Sequence, residues 1–118
     1  MMKSLNASDF APVGILEEQV MLAVLRTGDD AYGMTVRREL EEVTGRDVTI
    51  GSVYITLDRL EAKGLVTSDR PSAATRGNAT SRRVFAVTPL GLRVLAETRA
   101  MRERLWAGVN LAARLRSV

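Results

Sequence analysis

The chain has 118 residues, a formal net charge of +3, no cysteine and no histidine. That length suits one domain with a real core. The missing residue types exclude disulfides, thiolate metal sites and the commonest general base, and with them most hydrolytic machinery.

The first residues, from Met1 and Lys3 to Asp9, lack the apolar stretch of a signal peptide, and no apolar run is long enough to span a bilayer. The expectation is a cytoplasmic protein with no membrane partner. From Ile15 to Arg26, Ile15, Leu16, Val20, Leu22, Ala23 and Leu25 share one broad face, which predicts a first core helix. Gly28-Asp29-Asp30 predicts a turn. Tyr32, Val36, Leu40 and Val43 then repeat at helical spacing until Gly45 stops a second helix. Thr49 can cap a third, which turns Ile50, Val53, Leu57 and Leu60 inward and ends at Gly64, a residue suited to the left-handed position. Leu65–Arg70 and Arg83–Thr88 alternate apolar and polar residues as two antiparallel strands, joined by a long tip over 71–82. Thr88-Pro89 opens a last helix, and with no later proline the spacing predicts one helix running to Arg116. Its narrow stripe of Leu92, Leu95, Met101, Leu105, Val109 and Ala112 calls for a partner, which predicts a homodimer.

Charge is unevenly placed along this order. Up to Asp69, seven Lys and Arg stand against twelve Asp and Glu; from Arg70 onward, ten Arg stand against two Glu. No acid occurs between Asp69 and Glu97, so the hairpin presents positive charge suited to a polyanion. On a helical wheel the third helix sets Gly51, Ser52, Ile55 and Arg59 opposite its apolar side, with Tyr54 and Thr56 on the flanks. Hydroxyls there can donate to phosphate, Ser52 and Arg59 can reach base edges or backbone, and Ile55 suits a thymine methyl in the major groove. The competing reading of Ile55 is a stray surface residue. Asp58 has three readings: it pairs with a neighbouring cation, accepts from a cytosine amino group, or stands clear of a duplex. The candidate contact set is Tyr32, Thr49, Ser52, Tyr54, Ile55, Thr56, Arg59, Lys63, Arg76, Arg82 and Arg83, with the last three expected to grip phosphates from the hairpin. The acidic runs Glu17-Glu18 and Glu39, Glu41, Glu42 are most simply solvated faces. No metal and no cofactor is expected.

The segments Asp30-Ala31-Tyr32-Gly33, Arg37-Arg38-Glu39-Leu40, Gly51 to Val66 and Thr88-Pro89-Leu90-Gly91, in this order around a basic hairpin, closely resemble the PadR-like transcriptional regulators. The resemblance covers nearly the whole chain and points to the short branch with a single C-terminal dimerisation helix. It implies a mainly α, winged helix-turn-helix fold with a two-stranded wing. It divides one compact unit into a DNA-binding part over 1–88 and a dimerisation helix over 89–118. It further implies a homodimeric repressor on a roughly palindromic operator of double-stranded DNA, with Tyr32 and Tyr54 matching the family's tyrosines. The wing tip Ala79-Thr80-Ser81 departs from the family's Gly/Arg-rich pattern. Trp106, the only tryptophan, lies about 100° from the last helix's stripe. The resemblance implies a role for it beside a cavity for a planar apolar effector, while packing between subunits is the simpler explanation. Leu95, Met101, Leu105, Trp106 and Val109 are the candidate effector or dimer surface. A protein-interaction module on the same fold is the alternative function, and an enzyme is excluded for want of a nucleophile–base pair or metal cluster.

Overall fold

The structure, a computed structural model, describes residues 13–69 and 82–118. Helices α1 (Ile15–Thr27), α2 (Gly33–Thr44) and α3 (Ile50–Ala62) precede strands β1 (Val66–Asp69) and β2 (Val84–Val87), followed by α4 (Pro89–Trp106) and α5 (Leu111–Arg116). A short 3-10 turn, Gly28–Asp30, joins α1 to α2. The two strands pair antiparallel with Val66 opposite Val87 and Ser68 opposite Phe85. This is a mainly helical winged helix-turn-helix fold with a two-stranded wing. No helix among the described residues is long and apolar enough to cross a membrane.

The core forms where the apolar stripes of the first three helices meet the wing. Val20 and Met21 of α1, Val36 of α2, Val53, Leu57 and Leu60 of α3, Val66 of β1 and Phe85 of β2 are fully buried. The period of 3.6 in the helices and 2 in the strands aims all of these at one centre. Capping follows the sequence closely. Thr49 Oγ1 accepts from the Ser52 N–H at 3.1 Å, and Thr88 Oγ1 accepts from the Gly91 N–H at 3.0 Å. Gly45 and Gly64 take positive φ angles of 70° and 76° after their helices, where a Cβ is strained.

Wing and last helix are fastened at one place. The Thr88 N–H donates to the Leu65 carbonyl at 3.0 Å, and its hydroxyl donates to the Gly64 carbonyl at 2.6 Å. One turn on, Gly91 lies so close that an added Cβ would stand 2.2 Å from the Leu65 carbonyl oxygen and 2.7 Å from Val87 Cγ1. On the other side of the wing, the Phe85 N–H donates to the Ala31 carbonyl at 2.7 Å. At the far end of α3, Lys63 Nζ reaches Glu17 Oε2 at 2.7 Å, and Arg102 of α4 pairs with Glu18 of α1.

The last helix departs from expectation. Instead of running to Arg116 it stops at Trp106, and Gly108 turns the chain at φ 79° before Asn110 caps α5, its Oδ1 accepting from the Ala113 N–H at 3.0 Å. Glycine in the left-handed position followed by an asparagine cap are stop and start signals in their own right, and the absence of proline does not cancel them. The expected stripe therefore splits. Leu95 is only 8% exposed, and with Val94 and Thr98 it belongs to this chain's own interior, not to a surface for a partner or effector. Leu105, Trp106, Val109, Leu111 and Leu115 stand exposed beyond it.

Two stability changes follow from these contacts. Gly91→Ala meets backbone, which cannot swing aside, and should lower stability by about 1–3 kcal/mol, read as a lower urea midpoint at unchanged m-value. The hydrogen bond from Lys63 holds the Glu17 carboxyl below its ordinary 4.5, outweighing the upward push of burial. A folded-state value below the unfolded one gives stability that is present above the unfolded value and drains as pH falls through the folded one. Glu17→Gln should therefore lose on the order of 0.5 kcal/mol at neutral pH, with the difference from the parent vanishing in acid, as measured by urea melts across the carboxylate range.

Candidate nucleic-acid interface

The exposed face of α3 is set by what its other faces touch. Val53, Leu57 and Leu60 point into the core, which leaves Gly51, Tyr54, Ile55, Asp58 and Arg59 exposed. At the start of the helix the Thr49 hydroxyl donates to Ser52 Oγ at 2.9 Å, so two expected contact residues form one hydroxyl pair beside the free amides of the first turn. Ile55 is 56% exposed at the middle of this face.

Tyr54 occupies the flank towards α2, and the reason lies in a glycine. A Cβ on Gly33 would stand 2.4 Å from Tyr54 Cζ and 2.5 Å from its hydroxyl, so the ring rests directly on the bare first residue of α2. Beside it, Arg82 places its guanidinium 4.3 Å from the centroid of the Tyr32 ring. A cation stacked there stays exposed at its edge while the ring limits its motion. Tyr32 itself is half-buried, and its backbone N–H donates to Thr35 Oγ1 at 3.0 Å, which steadies the start of α2. Gly33, Tyr32, Tyr54 and Arg82 thus form one ledge between α2, α3 and the wing. Gly33 was visible only as part of Ala-Tyr-Gly; the need for a missing side chain there is the signal behind that motif.

Three expected contacts lie elsewhere. Thr56 is 4% exposed and donates its hydroxyl to the Ser52 carbonyl at 2.7 Å, so it serves the helix interior and does not face a duplex. Lys63 is committed to Glu17 at the far end of α3. Arg83 turns inward: its Nη2 donates to Glu61 Oε1 at 2.6 Å and its Nη1 to Asp58 Oδ1 at 3.2 Å, while Arg82 faces the opposite way. Asp58 pairs with a neighbouring cation, the first of its three readings. The acid-free hairpin is accordingly less unopposed in space than along the chain, because α3 brings two carboxylates to it. Neither Glu61 nor Ser68, which also lies 3.3 Å from Arg83 Nη2, stood out in the sequence. Arg76 lies outside the described residues. Arg59 remains exposed on the flank towards α1, where its charge contributes to lowering the Glu17 carboxyl.

This arrangement offers a narrow exposed helix face with an arginine on each side, Arg59 and Arg82. Among the described residues no group of three or more His, Cys, Asp or Glu could hold a metal ion. The seat of Tyr54 is open to a direct check. Gly33→Ala should cost about 1–3 kcal/mol in the parent and almost nothing in a Tyr54→Ala background, a coupling read from a double-mutant cycle of urea melts.

Comparison with known proteins agrees with this geometry. The sequence profile of the transcriptional regulator PadR-like family matches residues 21–97, from within α1 to within α4. Transcriptional regulator Rv3488 of Mycobacterium tuberculosis is 36% identical over 77 residues, which cover 65% of this chain and 67% of that protein. A PadR-like transcription factor from Bacteroides fragilis superposes with a TM-score of 0.64 at 27% identity, covering 78% of this chain and 84% of that one. RosR from H. salinarum shares the fold with a TM-score of 0.65 at 21% identity, covering 89% of this chain and 88% of that one. The chain belongs to the PadR-like family, whose members are DNA-binding transcriptional regulators and not enzymes.

Proposed function

We propose that this regulator is a homodimeric repressor that holds a roughly palindromic operator and is released when a planar apolar small molecule binds between its subunits. The observation that carries the DNA-reading part is the exposed face of α3, Gly51 to Arg59, set between Arg59 on one flank and the Arg82–Tyr32 stack on the other. Hydroxyls at Thr49 and Ser52, the Tyr54 phenol and the two arginines hold the backbone, and Ile55 meets a base methyl.

Support for a second copy comes from apolar surface that one chain leaves uncovered. Leu105 is 71% exposed and Trp106 56%, next to Val109, Leu111 and Leu115. Between α1 and α2, an open groove of about 390 Å³ has Leu22, Ala23, Leu25, Leu40 and Val43 in its lining, alongside Gln19, Arg26, Glu39 and Thr44. Surface of this kind is typical of subunit contacts, and an exposed tryptophan there also offers a flat surface to a flat ligand. Met101, half-buried on α4, precedes this surface along the helix.

Two recognition helices related by a twofold axis face successive major grooves about 34 Å apart, which requires inverted half-sites. Selection of bound sequences from random duplex DNA should return such a repeat, and light scattering at micromolar concentration should give a dimer. Leu105→Asp should raise the dimer dissociation constant by roughly two decades and weaken operator retention with it. A monomeric parent would defeat the dimer, and a pool with no enriched sequence would favour a protein-interaction module. Planar apolar compounds that quench Trp106 fluorescence should also lower operator occupancy.

A further inference from the structure

Asp58 is an acid at the centre of a face presented to a polyanion. At about 100° per residue, Gly51, Ile55, Asp58 and Ala62 fall within one narrow arc of α3, so Asp58 stands one turn beyond Ile55 on the same line. A bare carboxylate there repels phosphate. One guanidinium, shared with Glu61, offsets part of it. Arg83 donates from Nη1 to Asp58 Oδ1 at 3.2 Å, and from Nη2 to Glu61 Oε1 at 2.6 Å and to Ser68 Oγ at 3.3 Å. Ser68 in turn donates to Glu61 Oε2 at 2.8 Å, and the guanidinium stands 4.9 Å from the Phe85 ring centroid.

The exposures give this cluster a direction. The Arg83 side chain is 24% exposed, that of Asp58 61%. The cation is anchored from beneath by the wing and the acid stands outward, the reverse of an arginine reaching for phosphate. Among the described residues, Asp58 Oδ2 takes no hydrogen bond, so one oxygen is held by Arg83 and the other is presented. An ionised carboxylate only accepts, and the major-groove partner that only donates is the exocyclic amino group of cytosine.

We propose that Arg83 is a positioning residue for sequence reading: fixed to Glu61 and Ser68, it offsets part of the charge of Asp58 and orients that carboxylate to accept from a cytosine amino group in the major groove. This rests on the duplex-reading role of α3 proposed above. Asp58 is then a specificity-determining residue, and the grip on phosphate falls to Arg82 and Arg59.

The test combines sequence selection with binding titrations on the full chain. The parent should prefer C·G at one position of each half-site, and Asp58→Asn should move that position to A·T, because a carboxamide pairs with adenine through both its groups. Arg83→Met should lower discrimination at the same position by about tenfold and weaken binding to every duplex, since the carboxylate is left bare. Adding Asp58→Asn to Arg83→Met should restore the general affinity, whereas adding it to Arg82→Ala, which loses a phosphate contact, should not. An arginine that serves only the fold would change melting without moving base preference. The inference is overturned if Asp58→Asn leaves every position unchanged in a parent that does select sequences, or if it fails to rescue a folded Arg83→Met. A parent that selects no sequence would overturn the duplex-reading role itself and this inference with it.

Discussion

The end of α3, the start of the wing, its return and the start of α4 all meet at Thr88. Its backbone N–H and its hydroxyl donate to consecutive carbonyls, those of Leu65 and Gly64, and the same hydroxyl accepts from Gly91. One residue thus closes the wing against the helix that precedes it and opens the helix that follows. The contact is possible only because Gly91 brings no side chain between α4 and the Leu65 carbonyl. With this joint fixed, the wing's return strand has a single place to lie, and Arg82 and Arg83 inherit their opposite directions from it. The ledge beside α2 and the clamp on α3 are both consequences of that one seam.

Most of the fold was legible because local and global signals agree. The apolar spacing of α1, α2 and α3, the caps at Thr49 and Thr88, and the glycines at Gly45 and Gly64 each point to the element that forms. The break at Gly108 was equally written in the chain, as a left-handed glycine and an asparagine cap, but the regular apolar steps on either side masked it. Periodicity that continues across a stop signal describes two helices as readily as one.

The interface was legible in outline and less so in detail. A wheel assigns faces well but blurs flanks. Thr56 sits about 40° from Leu60 at the edge of the core side of α3, close enough to be covered, and its hydroxyl finds the carbonyl one turn back. Arg83 and Lys63 illustrate a second limit. Their partners, Glu61 with Asp58 and Glu17, lie 22, 25 and 46 positions away, so counting acids along a segment says little about which cations remain free. Electrostatics is a property of folded neighbours, and only the fold supplies them.

The hydrogen bond from Phe85 to Ala31 has a consequence beyond holding the wing in place. β2 pairs with β1 on one side and meets the turn before α2 on the other, so its outer edge is engaged at its midpoint. A strand edge occupied in this way is a poor template for adding a strand from another molecule. On the β2 side, growth of the sheet by a strand from a second copy is thereby closed off where the turn before α2 already holds the edge.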